Sequence, residues 1–341
     1  IILVLILWYI LIGGVFEGLL LLLFNRLNVS DAMYFVLAYY TTVVGSIISL
    51  VVLLQVFRKN RPILRSFRMG LRSSVSTPAG GSLESDITSA GRSPETDIPE
   101  PDKLISCSNT WRLLGIGLLL GFLTNFFCIL CALIHGDIKL VAAFTAGEIP
   151  VMIFALLSVF IQSTSEELWC RGFMYERINV HYPLWVAILA NGLFFGLLHV
   201  LNDGVTVLAI ADIVICGISY SLLRWYTGSI WTCMGIHTAW NFTQNFLFGL
   251  PNSGLVSEAS IFRLDAANGI SNLIYDYGFG VEGALPAVFI DLLLAVVILL
   301  MARRDGRLCE LTMSKEKLCD NNSDNNRDNN IVDLEQLRVV E

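Results

Sequence analysis

The stretch Leu113 to His135, LLGIGLLLGFLTNFFCILCALIH, decides what kind of protein this is. It holds no Asp, Glu, Lys or Arg, and at about 1.5 Å per residue a helix of that length covers the roughly 30 Å of a bilayer's hydrocarbon core. Seven further apolar runs, at about 1–24, 34–57, 140–162, 184–201, 205–224, 228–249 and 283–302, repeat the pattern. The first begins at Ile1 with no methionine or basic leader and is too long for a signal-peptide core, so it is expected to be a true span in a chain whose start has been trimmed. Composition agrees: 55% of the 341 residues are hydrophobic, 15% are charged and mean hydropathy is +0.67, whereas a soluble domain carries about 25% charged residues. The expected fold is therefore an all-α polytopic transmembrane helix bundle of about eight spans enclosing an intramembrane cavity. A soluble dinucleotide-binding enzyme, a disulfide-stapled secreted domain and a nucleic-acid binder are excluded, the last also by the net charge of -7. Eight cysteines in a chain this long read as buried thiols rather than a disulfide framework.

Two stretches differ in character. Residues 58–111 open with Arg58, Lys59, Arg61, Arg65, Arg68 and Arg72 and turn rich in Ser, Thr, Pro, Gly and acid, while the tail from 303 runs into the Asn-rich segment 320–330; neither can bury a core. The expected division is an N-terminal transmembrane pair over 1–57, a disordered cytosolic loop over 58–111, a transmembrane catalytic core over 112–302 and a disordered cytosolic tail over 303–341. Strict alternation with the loop in the cytosol leaves only Arg26, Lys139 and Arg263 outside, so 19 of the 22 basic residues obey the positive-inside rule. The Asn28-Val29-Ser30 sequon then lies outside, close against the membrane.

Ionisable groups within apolar helices are costly, so those present point to function. Three clusters stand out. Glu166-Glu167-Leu168-Trp169-Cys170-Arg171 follows the fourth apolar run; on a helix Glu167 and Arg171 are four apart with the acid N-terminal, the favoured ion-pair arrangement, and Glu166 is rotated about 100° away and left available. Phe195 and His199 share a helix face, and Gly192 with Gly196 forms a small-xxx-small step that lets a neighbouring backbone approach. His237 and Asn241 are again four apart on one face. Singly, each histidine reads equally well as a hydrogen-bonded packing residue; jointly Glu, His, His and Asn read as a site.

These three patterns, E-E-x-x-x-R, F-x-x-x-H and H-x-x-x-N in that order within residues 145–250, resemble the CAAX protease and bacteriocin-processing enzyme superfamily, which takes in the type II CAAX prenyl endopeptidases, the lysostaphin-resistance type and the abortive-infection family. The resemblance implies that Glu166 is the catalytic glutamate, that Glu167 and Arg171 support it, and that His199, His237 and Asn241 complete the site beside Phe195. Where eukaryotic members carry a further histidine after the second motif this chain has Val200-Leu201-Asn202-Asp203, and its Glu-Glu-Leu-x-x-Arg-Gly-Phe is closer to the bacterial type.

The chemistry expected of such a set is hydrolysis by activated water. Glu166 serves as general base, His199 orients the water, and His237 with Asn241 points donors at one oxygen as an oxyanion hole, worth about 3 kcal/mol per donor in soluble proteases. No cofactor is required; the alternative is zinc held by His199, His237 and Glu166. Cys128-x-x-Cys131 with His135 reads as helix packing, and Ser165 and Cys170 lie in no nucleophile-activating pattern. Glu17, Glu148, Asp212 and Asp291 keep a transport function as an alternative, and a non-proteolytic scaffold or immunity protein of the same family is another. The expected partners are membrane lipid and a peptide or prenylated protein losing its last residues, and the location is an integral membrane one, the endoplasmic reticulum in a eukaryote or the plasma membrane in a prokaryote. One tension is visible: these spans set Glu166 at the cytosolic edge and His199 roughly 22 Å deep, a conflict removed by a helix that begins near Pro150 and carries Glu166 inward.

Overall fold

The computed structural model describes residues 107–142, 149–257, 259–266 and 269–314, together with Val15, Gly18, Leu19, Leu22, Leu23 and Arg26. The expected spans at 1–24 and 34–57, the loop up to 106 and the tail from 315 therefore lie wholly or largely outside the described residues. The rest is mostly helical. Helix α1 is Cys107–His135, α2 is Ile149–Glu167, α3 is Tyr175–Asn179, α4 is Leu184–Leu198, α5 is Val207–Thr227, α6 is Ile230–Phe242 and α7 is Leu285–Arg304. The sequence reading did not anticipate strands β1 (Ile138–Ala142) and β2 (Phe262–Ala266), which pair antiparallel with Ile138 opposite Ala266.

Six of the eight expected spans fall among the described residues, and that number is not reached there. Among the described residues four helical stretches are long and apolar enough to cross a membrane: Thr110–His135, Ile149–Asn179, Val207–Thr227 and Leu285–Arg304. The run at 184–201 makes a helix of only 15 residues, and that at 228–249 makes 13 residues of α-helix continued by a five-residue π-helical turn, Thr243–Leu247. The run at 140–162 is split: its start is β1, and the helix begins at Ile149. Residues 303–314, grouped with the tail by composition, finish α7 and add a 3-10 turn, Leu308–Thr312, whose following residue Met313 accepts a hydrogen bond from the Leu184 amide.

Helix α6 is the centre. Every residue from Thr232 to Asn241 is buried, which is why its sequence shows no polar face to guide a span assignment. It crosses α1 at very short range through glycines: a Cβ on Gly117 or Gly121 would meet the carbonyls of Thr232 and Ile236, and one on Gly235 would meet the carbonyl of Leu114. The Gly192/Gly196 step packs on α5, where Gly217 lies against the Gly192 backbone. Leu119, Leu123 and Ile134 of α1 and Phe289, Val296 and Leu300 of α7 stay exposed, the surface expected of helices whose outer side faces lipid.

The depth conflict resolves here. The helical stretch begun at Ile149 does not stop at 162 but runs to Asn179, and a short turn returns the chain into α4 at Leu184. Glu166 is then 13 residues before that turn and His199 follows the 15-residue run from Leu184 to Leu198, so both lie about 20 Å from the same end of the bundle. The segment 163–178, placed at the membrane edge by hydropathy, continues the apolar helical stretch, with Glu167 paired to Arg171 and Glu176 to Arg224 inside the bundle.

Candidate active site

Just past Glu167 the α-helix widens into a π-helical stretch, Leu168–Met174. The Tyr175 amide reaches back to the Cys170 carbonyl, and Asn191 of α4 donates its side-chain amide to the same oxygen. Such insertions recur at functional sites because they turn side chains that a regular helix would aim elsewhere. Arg171 lies within this stretch and in the interior. Glu167 and Arg171 are both fully buried, with Glu167 Oε1 2.9 Å from Arg171 Nη1, the pairing expected from their spacing. Arg171 Nη2 donates to the Gly217 carbonyl at 3.4 Å, and its guanidinium carbon sits 4.4 Å from the Phe195 ring centre and 5.4 Å from that of Tyr220. A buried guanidinium with no partner would be strongly destabilising; a carboxylate and two ring faces, each desolvated contact worth about 2 kcal/mol, hold it in place.

The carboxylate that binds Arg171 also holds a histidine. His237 of α6 lies with Nδ1 2.9 Å from Glu167 Oε1. A carboxylate accepts only, so Nδ1 carries the proton it donates, and Nε2 is the nitrogen left to act. Nε2 faces Glu166 Oε2 at 3.8 Å, while Gln162, one turn earlier on α2, donates its amide to Glu166 Oε1. Among the described residues Glu166 Oε2 accepts no hydrogen bond, so one carboxylate oxygen is anchored and the other is turned to His237. A separation of 3.8 Å is too long for a direct hydrogen bond and is one that a single water oxygen about 2.8 Å from each atom bridges.

Asn241, one turn beyond His237, donates its Nδ2 to Gln162 Oε1 at 3.5 Å and accepts at Oδ1 from Asn252 Nδ2 at 3.4 Å. Four residues that sequence reasoning missed complete this side: Gln162, Asn252, Ser253 and Glu282. Glu282 lies in the 3-10 turn Val281–Gly283 before α7. Its Oε1 accepts from Trp240 Nε1 at 2.9 Å and Asn252 Nδ2 at 3.0 Å, and its Oε2 from the amide and the hydroxyl of Ser253, each at 2.8 Å. Burial pushes the Glu282 carboxyl up from its ordinary value, against the opposing pull of the Ser253 hydroxyl and of the His199 charge. An acid after Gly280 in a loop of mixed composition carries no sequence signal; only Gln162, a polar residue one turn before Glu166, could have been found from spacing.

His199 caps the C-terminal end of α4 with Nδ1 on the Phe195 carbonyl at 2.9 Å. Its ring stands edge-on to Phe195 at 5.0 Å, and His237 meets the same ring edge-on at 5.8 Å, so Phe195 is the spacer between the two imidazoles. Among the described residues no three His, Cys, Asp or Glu side chains converge as an ion site. Ser165 gives its hydroxyl to the Gln162 carbonyl at 2.7 Å, and Cys170 is fully buried. Cys128 is buried in α1, and the described cysteines are free thiols. Asp212 of α5 and Asp291 of α7 are buried, whereas Glu17 and Glu148 lie outside the described residues.

Residues 148–243 match the family model described as type II CAAX prenyl endopeptidase Rce1-like, less than a third of the chain but all three motifs. No curated protein matches the chain, and no solved structure does. That family consists of membrane proteases, and with its long apolar helices this chain is an integral membrane protein of mostly helical fold.

Proposed function

We propose, from the match of residues 148–243 to the type II CAAX prenyl endopeptidase model, that the protein is an intramembrane endopeptidase that hydrolyses a peptide bond in a membrane-anchored substrate, a prenylated CAAX terminus being the class that best suits a site at this depth. The single observation that carries the reading is the facing of Glu166 Oε2 and His237 Nε2 at 3.8 Å, each held from behind, by Gln162 and by Glu167. Glu166 takes the proton of a water lying between them as that water attacks the scissile carbonyl. With His237 protonated, two carboxylates are balanced by Arg171 and the imidazolium, so the group is neutral overall, as a buried charge cluster requires. Nε2–H of His237 and Nδ2–H of Asn241 then donate to the developing oxyanion. His199, edge-on to the Phe195 ring that His237 also meets, orients the water. This route uses side chains alone; zinc on His199, His237 and Glu166 is the competing scheme, and a non-proteolytic family relative or a transporter built on Asp212 and Asp291 are the competing functions.

The test is cleavage of a farnesylated CAAX peptide by purified protein in detergent, comparing wild type, Glu166→Ala and His199→Ala, with and without a zinc chelator. Cleavage lost in both variants and indifferent to chelator supports the proposal. Chelator-sensitive cleavage moves the zinc scheme ahead, and a wild type that cuts no anchored peptide removes the protease reading.

A further inference from the structure

Glu282 lies outside the matched segment 148–243, yet it ends a chain of polar contacts that leads into the site. The logic of donors and acceptors runs one way along it. Trp240 Nε1 and the Ser253 amide are donors only, and both point at Glu282, which fixes that position as an acceptor on both oxygens. Asn252 must therefore present its Nδ2 to Glu282, at 3.0 Å, and the second hydrogen of the same Nδ2 is aimed at Asn241 Oδ1, at 3.4 Å. An amide that accepts at Oδ1 from one side offers Nδ2 on the other. That is the side of Gln162, whose amide in turn holds Glu166.

We infer that Glu282 is a positioning residue of the active site: acting through Asn252, it fixes the Asn241 amide with Nδ2 turned toward the reacting groups. The loop before α7 thereby completes a site whose motifs all lie on α2, α4 and α6. What the Asn241 donor accomplishes rests on the endopeptidase reading; how the amide is held does not. Without the Asn252 donor the Asn241 amide is left with its 3.5 Å contact to Gln162, and each flip presents an oxygen to the oxyanion, so the relay is felt in turnover rather than in peptide binding. Loop placement supports the assignment. The Asn202 side chain donates to the Ser253 carbonyl at 3.0 Å, and a Cβ on Gly254 would meet the Asp203 backbone, so the segment carrying Asn252 is clamped against the residues that follow His199.

Two measurements on purified protein in detergent test this. With a farnesylated CAAX peptide, Glu282→Gln is expected to lower kcat by about tenfold or more with KM held within about twofold, and Asn252→Leu, which cuts the relay without removing a charge, to do the same. Losses in Asn241→Ala and Glu282→Gln that multiply when combined would overturn the inference. The second measurement needs no substrate. Asn241→Ala should lower the thermal midpoint clearly in wild type and by less than half as much in the Glu282→Gln background; shifts that simply add overturn the inference even if the peptide is cut. A wild type that leaves the peptide intact while the midpoints remain coupled retires the substrate reading and keeps the positioning one. If Glu282→Gln does not fold, Asn252→Leu replaces it in both cycles.

Discussion

Glu167 Oε1 lies 2.9 Å from His237 Nδ1 and 2.9 Å from Arg171 Nη1, so a single carboxylate oxygen ties the first motif to the third. The adjacent glutamates thereby take different tasks: Glu167 fixes a guanidinium and an imidazole, and Glu166 keeps one oxygen for chemistry. Glu167→Gln preserves shape but removes the charge that holds Nδ1–H. Loss of the orienting acid in a serine-protease triad lowers kcat by about 10⁴, and here a fall of at least about 10² is expected with KM little changed. Steady-state kinetics on the CAAX peptide check it; an unaltered kcat would detach Glu167 from the reaction.

The same variant should weaken the fold. Arg171 is fully buried, and removing the partner of such a charge costs about 3–5 kcal/mol. Thermal unfolding in detergent should show a midpoint well below wild type for Glu167→Gln, largely regained in Glu167→Gln/Arg171→Met, where the apolar stem still fills the space between Phe195 and Tyr220. A double variant no more stable than the single one would mean that the pair is not what burial makes expensive.

Gln162 is the prediction that sequence reading lacked. Its amide fixes Glu166 Oε1 and faces Asn241, so Gln162→Leu leaves a buried oxygen unpaired, at about 1–3 kcal/mol, and frees the Glu166 rotamer. Turnover should fall roughly tenfold with peptide affinity retained. Normal turnover would show that Glu166 is oriented by something else.

How much of this was legible differs by element. The Glu167–Arg171 ion pair was, because it is a local pair set by helical period alone. The span count was not, since α6 is buried on all sides and α4, which exposes Trp185, Leu189, Leu193 and Leu197, is only 15 residues long; hydropathy cannot tell a lipid-facing helix from a surrounded one or see where a helix stops. The π-helical stretch after Glu167 was also invisible, because the Asn191 side chain from another helix helps to stabilise it. Glu282 is the extreme case: its partners are 29 to 42 residues away and come together only through tertiary folding.

The α1–α6 crossing gives a test independent of catalysis. A side chain at Gly117 would strike the Thr232 backbone, whereas a Cβ at Gly115 meets nothing within 4 Å. Gly117→Leu should therefore destabilise by about 1–3 kcal/mol or more, since backbone cannot yield as a side chain does, and Gly115→Leu should be close to neutral. Equal midpoints for the two variants would be incompatible with this packing.

Glu282 also sets a pH dependence whose direction is fixed. Burial raises its carboxyl in the folded protein above the ordinary glutamate value, so the folded state holds the proton more tightly than the unfolded chain. Its contribution to stability is thus fully present below the unfolded-state value and is lost as pH rises from there through the raised folded value. Glu282→Gln removes that titration. Thermal midpoints of wild type and Glu282→Gln, followed from acid to neutral pH in one detergent, should therefore diverge: the wild-type midpoint loses ground relative to the variant as pH increases across this window. A difference that stays flat, or that grows in wild type's favour with rising pH, would mean that the donors from Ser253, Trp240 and Asn252 outweigh burial and keep the carboxylate charged throughout.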